Sequence, residues 1–265
     1  MITLFVIGDR NNVEWVKAYA AQSGFDCFFI ASIADLPSTY VSQGAVFIDT
    51  IQETSFVDLS NLVRRGFHLY LNSPFDLSQS ELSHLSLLAE EAGVFVIPRL
   101  PMELKLPSEI GCSPLVGNIF LEIADIPDGD AWRNYCLEVI SCALSAVPFS
   151  VKRVRYVSSG HQSNSSVFMG FHLEFENTSL ISISIGTNTS RNSLDFQFIG
   201  SFGSYKFGST EQSFVVKNTQ SREQQLSHLV DLCSAPTRRY SVVELDTISQ
   251  VIRIYSEMKV HLALA

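Results

Sequence analysis

Hydrophobic residues run in unbroken stretches over the first hundred positions and alternate with polar ones in much of the second half. "ITLFVI" is a continuous apolar run, as expected of a strand covered on both faces, and "DCFFIAS", "GAVFID", "FHLYLN" and "GVFVIP" read as the second to fifth strands. Between them the apolar spacing is helical. A helix from about Asn12 to Ser23 places Val16, Tyr19 and Ala20 on one face and stops at Gly24. Phe56, Leu59, Leu62 and Val63 mark a second helix, closed by Gly66. Ser78 and Glu81 form a capping box for a third, in which Leu82, Leu85, Leu88 and Ala92 recur up to Gly93. Strands alternating with helices over short links predict a parallel, doubly wound, Rossmann-like sheet over residues 1–98.

Beyond Pro98 the pattern changes. Pro101, Pro107, Pro114 and Pro127 break a stretch with one strand, "VGNIFLEIAD". "DAWRNYCLEVISCALSAV" is a helix with a stripe of Trp132, Tyr135, Cys136, Val139, Ile140, Ala143 and Leu144. The period then falls to two. Val167, Met169, Phe171, Leu173 and Phe175 share one face, and Ile181, Ile183 and Ile185 oppose serines. "LDFQFIG", "GSYKFG" and "SFVVK" continue a meander that turns at Gly200 and Gly203. Two helices close the chain, from about Ser221 to Cys233 and from about Ser241, with Ser241 and Glu244 as a capping box. Residues 99–265 therefore read as an α+β domain with an open, mainly antiparallel sheet backed by helices, and the whole chain as an α/β protein. The serine-rich outer face, with Phe168 and Ile199 interspersed, is expected to pair two copies into a dimer.

Composition narrows the partners. With 265 residues, 46% of them hydrophobic and 17% charged, the chain is globular. A net charge of -9 disfavours nucleic acid and anionic membrane surfaces. No apolar run is long enough to span a bilayer, and "MITLFVIGDRNN" lacks a signal peptide's length and basic start. The five cysteines show no C-x-x-C spacing, so reduced thiols and a cytoplasmic location are expected. No metal is expected: Asp125, Asp128 and Asp130 lack an EF-hand's ligand order, and His161, His172 and His228 lack ligand spacing. "VKRVRY" at 151–156 reads as a sheet edge or subunit contact.

The order of pieces resembles the Gfo/Idh/MocA family of NAD(P)-dependent oxidoreductases. "GAVFIDTIQETSFVDLSNLVRRGFHLYLNSPFDLSQSELSHLSLLAEEAGVFVIP" is similar to that family's third-to-fifth-strand stretch, with Gly66 and Pro74 in register. "EIGCSPLVGNIFLEI" resembles its crossing into the second domain, and "FQFIGSFGSYKF" its Gly-x-x-Gly hairpin. The resemblance covers nearly the whole chain, which is short for the family between Pro98 and Gly111.

The chemistry-bearing positions depart from the family. Its Gly-x-Gly-x-x-Gly fingerprint is "GDRNNV" here: Gly8 stands, but Arg10 and Val13 take the other glycine places. Arg10, Asn11 and Asn12 read as a solvated turn and helix N-cap, or as an Arg-assisted phosphate site at a helix N-terminus. Thr50 and Ile51 replace the start of a Thr-Pro-x-x-x-His run, with Ser55 at the histidine. Ser73, before Pro74, occupies the lysine position. The Asp-x-x-x-His pair maps onto Ala131 and Tyr135, and a following acid onto Glu138. The resemblance thus implies weak cofactor positions at Gly8, Arg10, Asn11, Asn12 and Thr50, and no assured catalytic group. Hydride transfer from an alcohol needs a general base and a cation beside the alkoxide. Two readings follow. One is a degenerate homologue without hydride transfer or cofactor, acting as a binding, sensing or assembly subunit with a small-molecule or protein partner. The other is an NAD(P)-dependent oxidoreductase on a sugar-like or polyol substrate, with a rearranged cofactor loop.

Overall fold

The computed structural model describes residues 3–8, 10–36, 44–49, 54–100, 104, 106, 113–124, 129–158, 168–187, 192–201, 203–209, 226, 227, 229, 231, 233 and 243–264. Two compact units emerge: 1–99 with 221–249, and 100–220 with 250–265.

In the first unit, β1 (Thr3–Ile7), β2 (Asp26–Ile30), β3 (Gly44–Ile48), β4 (His68–Leu71) and β5 (Val96–Pro98) form a parallel sheet ordered β2-β1-β3-β4-β5. Helices α1 (Arg10–Ser23), α2 (Phe56–Arg64) and α3 (Gln79–Ala92) connect β1 to β2, β3 to β4 and β4 to β5. Strands β1, β3, β4 and β5 are buried along their whole lengths, as the apolar runs require. The third helix keeps its capping box: Ser78 N–H and Oγ both donate to Glu81 Oε2 at 2.7 Å. That contact holds the Glu81 carboxyl below its ordinary range, first through the Ser78 backbone and then through its hydroxyl. Leu82 and Leu85 are fully buried beneath it.

The sequence placed one continuous domain over 99–265, and the structure corrects this at 221–249. The described residues between 226 and 233 are helical, and Leu226, Leu229 and Cys233 join the core of Leu4, Val6, Val13, Val16, Phe47 and Tyr70. Burial of that apolar stripe on the parallel sheet is what assigns the segment to the first unit.

The second unit holds six strands: β6 (Leu115–Ile123), β7 (Val151–Ser158), β8 (Phe168–Phe175), β9 (Leu180–Thr187), β10 (Ser193–Gly200) and β11 (Gly203–Ser209). Their order is β11-β10-β6-β9-β8-β7, antiparallel except for the β6–β9 pair. Strict alternation buries Ile119, Phe171, Ile183 and Phe198 on one face. Helices α4 (Gly129–Ala146) and α5 (Val243–Leu264) complete the unit, α5 from Gln250 onward. Tyr156 Oη on β7 donates to the Ile254 carbonyl of α5 at 3.2 Å, and Val151 N–H donates to Gln250 Oε1 at 3.1 Å. The basic stretch 151–156 is an edge strand, a place where charge discourages unwanted pairing. The strand expected at "SFVVK", the capping box at Ser241 and Glu244, and residues Asp125, Asp128, His161 and His228 lie outside the described positions or side chains.

Candidate functional site

In an open parallel sheet, loops diverge at the carboxyl ends where strand order reverses, and ligands bind there. The order β2-β1-β3 puts that switch point between β1 and β3. Gly8 leaves β1 with φ +151, a conformation other residues rarely adopt. Asp49 leaves β3 beside it, its N–H donating to the Ile7 carbonyl at 3.0 Å. A Cβ built on Gly8 would stand 2.5 Å from Asp49 Cβ, so the two strand ends close on each other only with glycine there.

One strand further, Asn72 follows β4, and its Nδ2 donates to Asp49 Oδ1 at 2.7 Å. One further again, Arg99 follows β5, and its Nη1 donates to Asn72 Oδ1 at 3.3 Å. The main chain fixes the same register, with Asn72 N–H on the Ile48 carbonyl at 2.9 Å and Arg99 N–H on the Leu71 carbonyl at 2.8 Å. Asp49 is 8% exposed. Three adjacent strands thus end in one polar line of carboxylate, amide and guanidinium. Such a line can orient a donor or hold a charge. No lysine or histidine directly follows any of these strands.

A cleft of about 850 Å³ opens beside this edge, lined among others by Ile7, Ala31, Ser32, Leu36, Thr54 and Arg64. The buried Thr54 hydroxyl has no hydrogen-bond partner among the described residues. On its α2 wall Asp58 is already engaged, its Oδ2 accepting from Ser55 Oγ at 2.6 Å in a capping box.

The structure places the expected site residues as follows. Gly8 lies at the switch point. The helix begins at Arg10, so Arg10, Asn11 and Asn12 stand inside its first turn; their reading as a solvated turn and N-cap ahead of a helix from about Asn12 is corrected, since helical backbone starts two residues earlier. Only the backbone of these three residues is described. Val13 is fully buried in the core under the sheet. Thr50 lies outside the described residues. Ser73 is half-buried ahead of a 3-10 turn at Pro74–Asp76, with no side-chain cap bond. Ala131, Tyr135 and Glu138 lie on α4 in the other unit, Tyr135 and Glu138 half-buried. Burial raises the Cys142 thiol well above its usual range, and the Glu138 charge adds to this. Asp49 and Arg99 were not singled out from sequence. The signal was there, since each is a polar residue directly after a short apolar run. Among the described residues no three His, Cys, Asp or Glu stand close enough to hold a metal ion.

No protein-family model matches the chain, and no curated protein matches it either. Solved structures do. A Gfo/Idh/MocA family oxidoreductase from Vibrio cholerae superposes with a TM-score of 0.66 at 10% identity, over 99% of this chain and 100% of that one. A UDP-N-acetylglucosamine 3-dehydrogenase from Acidithiobacillus ferrooxidans gives 0.66 at 11% identity, over 98% and 97%. A probable dehydrogenase from Thermotoga maritima gives 0.66 at 12%, over 96% and 94%.

Proposed function

Because this chain carries the fold of the Gfo/Idh/MocA oxidoreductases, we propose that it is a degenerate relative that binds, senses or assembles rather than transferring hydride. The observation that carries this reading is Asp49 packed against Gly8. A dinucleotide of the kind such folds hold sets its pyrophosphate over the first strand's glycine turn, at the N-terminus of the following helix. Here a buried carboxylate borders that place. The helix also packs on the sheet through Val13 where the fingerprint has its third glycine. The residues present do not fit NAD(P).

The catalytic positions agree. Serine, alanine and tyrosine side chains, as at Ser73, Ala131 and Tyr135, are not bases near neutral pH in ordinary surroundings. The alternative, an NAD(P)-dependent oxidoreductase on a sugar-like or polyol substrate, draws on the retained Gly8 turn and on the dehydrogenases that share the fold. Calorimetric titration with NADH and NADPH, followed by turnover assays on polyols and sugars, separates the two. Saturable binding in the low micromolar range with turnover would overturn the binding-subunit reading.

The same reading makes the protein a dimer through the open sheet face. Ile199, Val116 and Leu180 lie side by side across β10, β6 and β9, each exposed. Beside them runs a polar row of Gln197, Asn118, Ser182 and His172, with His172 Nδ1 2.8 Å from Ser182 Oγ. An apolar strip beside a flat polar row suits self-pairing. The location is cytoplasmic. Four described cysteines are free, and burial pushes Cys136 and Cys233 up to about 12, which keeps them as inert thiols. No described helix is long and apolar enough to cross a membrane.

A further inference from the structure

We infer that the dimer face carries a pH-sensitive contact at His172, so that a proton on its imidazole weakens the pairing of two copies. This rests on the reading above, that the open sheet is the face through which copies pair. One row of outward residues crosses all six strands: Arg155, His172, Ser182, Asn118, Gln197 and Lys206, each in register with the next. His172 is the one histidine on the described strands of this sheet. Histidine is the side chain suited to gain a charge between about pH 8 and pH 5. Its Nδ1 lies 2.8 Å from Ser182 Oγ. A neutral ring can give or take that hydrogen bond, whereas a charged ring can only donate it.

The charges around the ring decide the sign. Arg155 stands directly across from it on β7, and Arg153 is opposite the next outward residue of β8, Glu174. Glu174 is the one acid on this part of the face, and Lys152 Nζ lies 3.7 Å from its carboxylate. On β9 the residues facing this stretch are Leu180, Ser182 and Ser184, none of them charged. A proton on His172 therefore sets a cation opposite a cation, an unfavourable cross-strand pair. Pairing then covers a ring that is half-buried in the single chain. A two-fold axis repeats every contact, so two imidazolium charges enter one interface. Each loses water there with Glu174 already drawn to Lys152, and the desolvation cost falls on the dimer alone.

The experiment measures the dimer dissociation constant of the full chain by sedimentation velocity at two pH values, with circular dichroism confirming the fold at each. The comparison is His172→Gln, which keeps a hydrogen-bonding group toward Ser182 but takes up no proton. From about pH 8 to about pH 5.5 the wild-type constant is expected to rise at least about tenfold, and that of His172→Gln by less than about threefold. Arg155→Gln, which removes the facing cation, should fall between the two. Should His172→Gln not fold, His172→Asn carries the same comparison. Equal pH dependence in wild type and variant overturns the inference and leaves the dimer standing. So does a wild-type dimer that tightens at the lower pH. A folded His172→Gln chain that is monomeric at the higher pH also overturns it, since the ring would then serve contact rather than charge. A wild-type monomer at the higher pH overturns the inference together with the dimer reading beneath it.

Discussion

The Asn72 side-chain amide donates to the Asp49 carboxylate at 2.7 Å, across the carboxyl ends of two neighbouring parallel strands and 23 residues of sequence. Asp49 is buried, so this bond replaces water that the carboxylate gave up on folding. Asn72→Ala leaves the charge without that partner. The expected loss of stability is about 1 to 3 kcal/mol, the cost of an unsatisfied buried polar group. Urea denaturation measures it, and a loss below about 0.5 kcal/mol would place the carboxylate in free solvent.

The elements were legible because each is signalled locally: apolar runs for β1 to β5, Ser78 with Glu81 for α3, alternation for β8 and β9. The segment before Cys233 was not. Its stripe says that one face is buried, but not whether the partner is the sheet of Leu4 and Phe47 or the sheet of Phe171 and Ile183. The Asp49–Asn72–Arg99 line was hidden for a related reason. Three polar residues in separate loops become neighbours only through the strand order β3-β4-β5, a long-range fact. Asp49 in turn lies outside the "GDRNNV" stretch and faces Gly8 from another strand.

Leu85 is fully buried on α3. Leu85→Ala is expected to cost about 2 to 5 kcal/mol, the range for a leucine truncated in a packed interior. A shift in the urea midpoint worth less than about 1 kcal/mol would contradict the packing of α3 on the sheet.

His68 ties stability to pH. Burial lowers its pKa below the ordinary 6.5, and its Nδ1 accepts from the Phe95 N–H at 3.0 Å, a bond that needs the neutral ring. As pH falls through the unfolded value the unfolded chain takes up a proton that the folded chain refuses. The stabilisation is complete above that value and declines toward the lowered folded pKa. Stability measured by urea from pH 7.5 to 5 should fall, and the slope should be shallower in His68→Gln. Parallel slopes for the two proteins would remove His68 as the cause.

For the dimer, light scattering coupled to size exclusion at micromolar concentration should give twice the 29.5 kDa chain mass. Val116→Arg, in the middle of the Ile199–Val116–Leu180 strip, should convert it to monomer while leaving the circular dichroism spectrum unchanged. A wild-type monomer would remove the open face as the interface.

The central claim is that a carboxylate at the switch point and a core valine under the glycine turn leave no place for a nicotinamide dinucleotide. Calorimetric titration of NADH into the purified full-length chain tests it most directly. The account predicts no saturable heat up to about 1 mM ligand, corresponding to binding weaker than roughly -4 kcal/mol. A one-site isotherm with a dissociation constant of about 10 μM or below, roughly -7 kcal/mol or stronger, would contradict it.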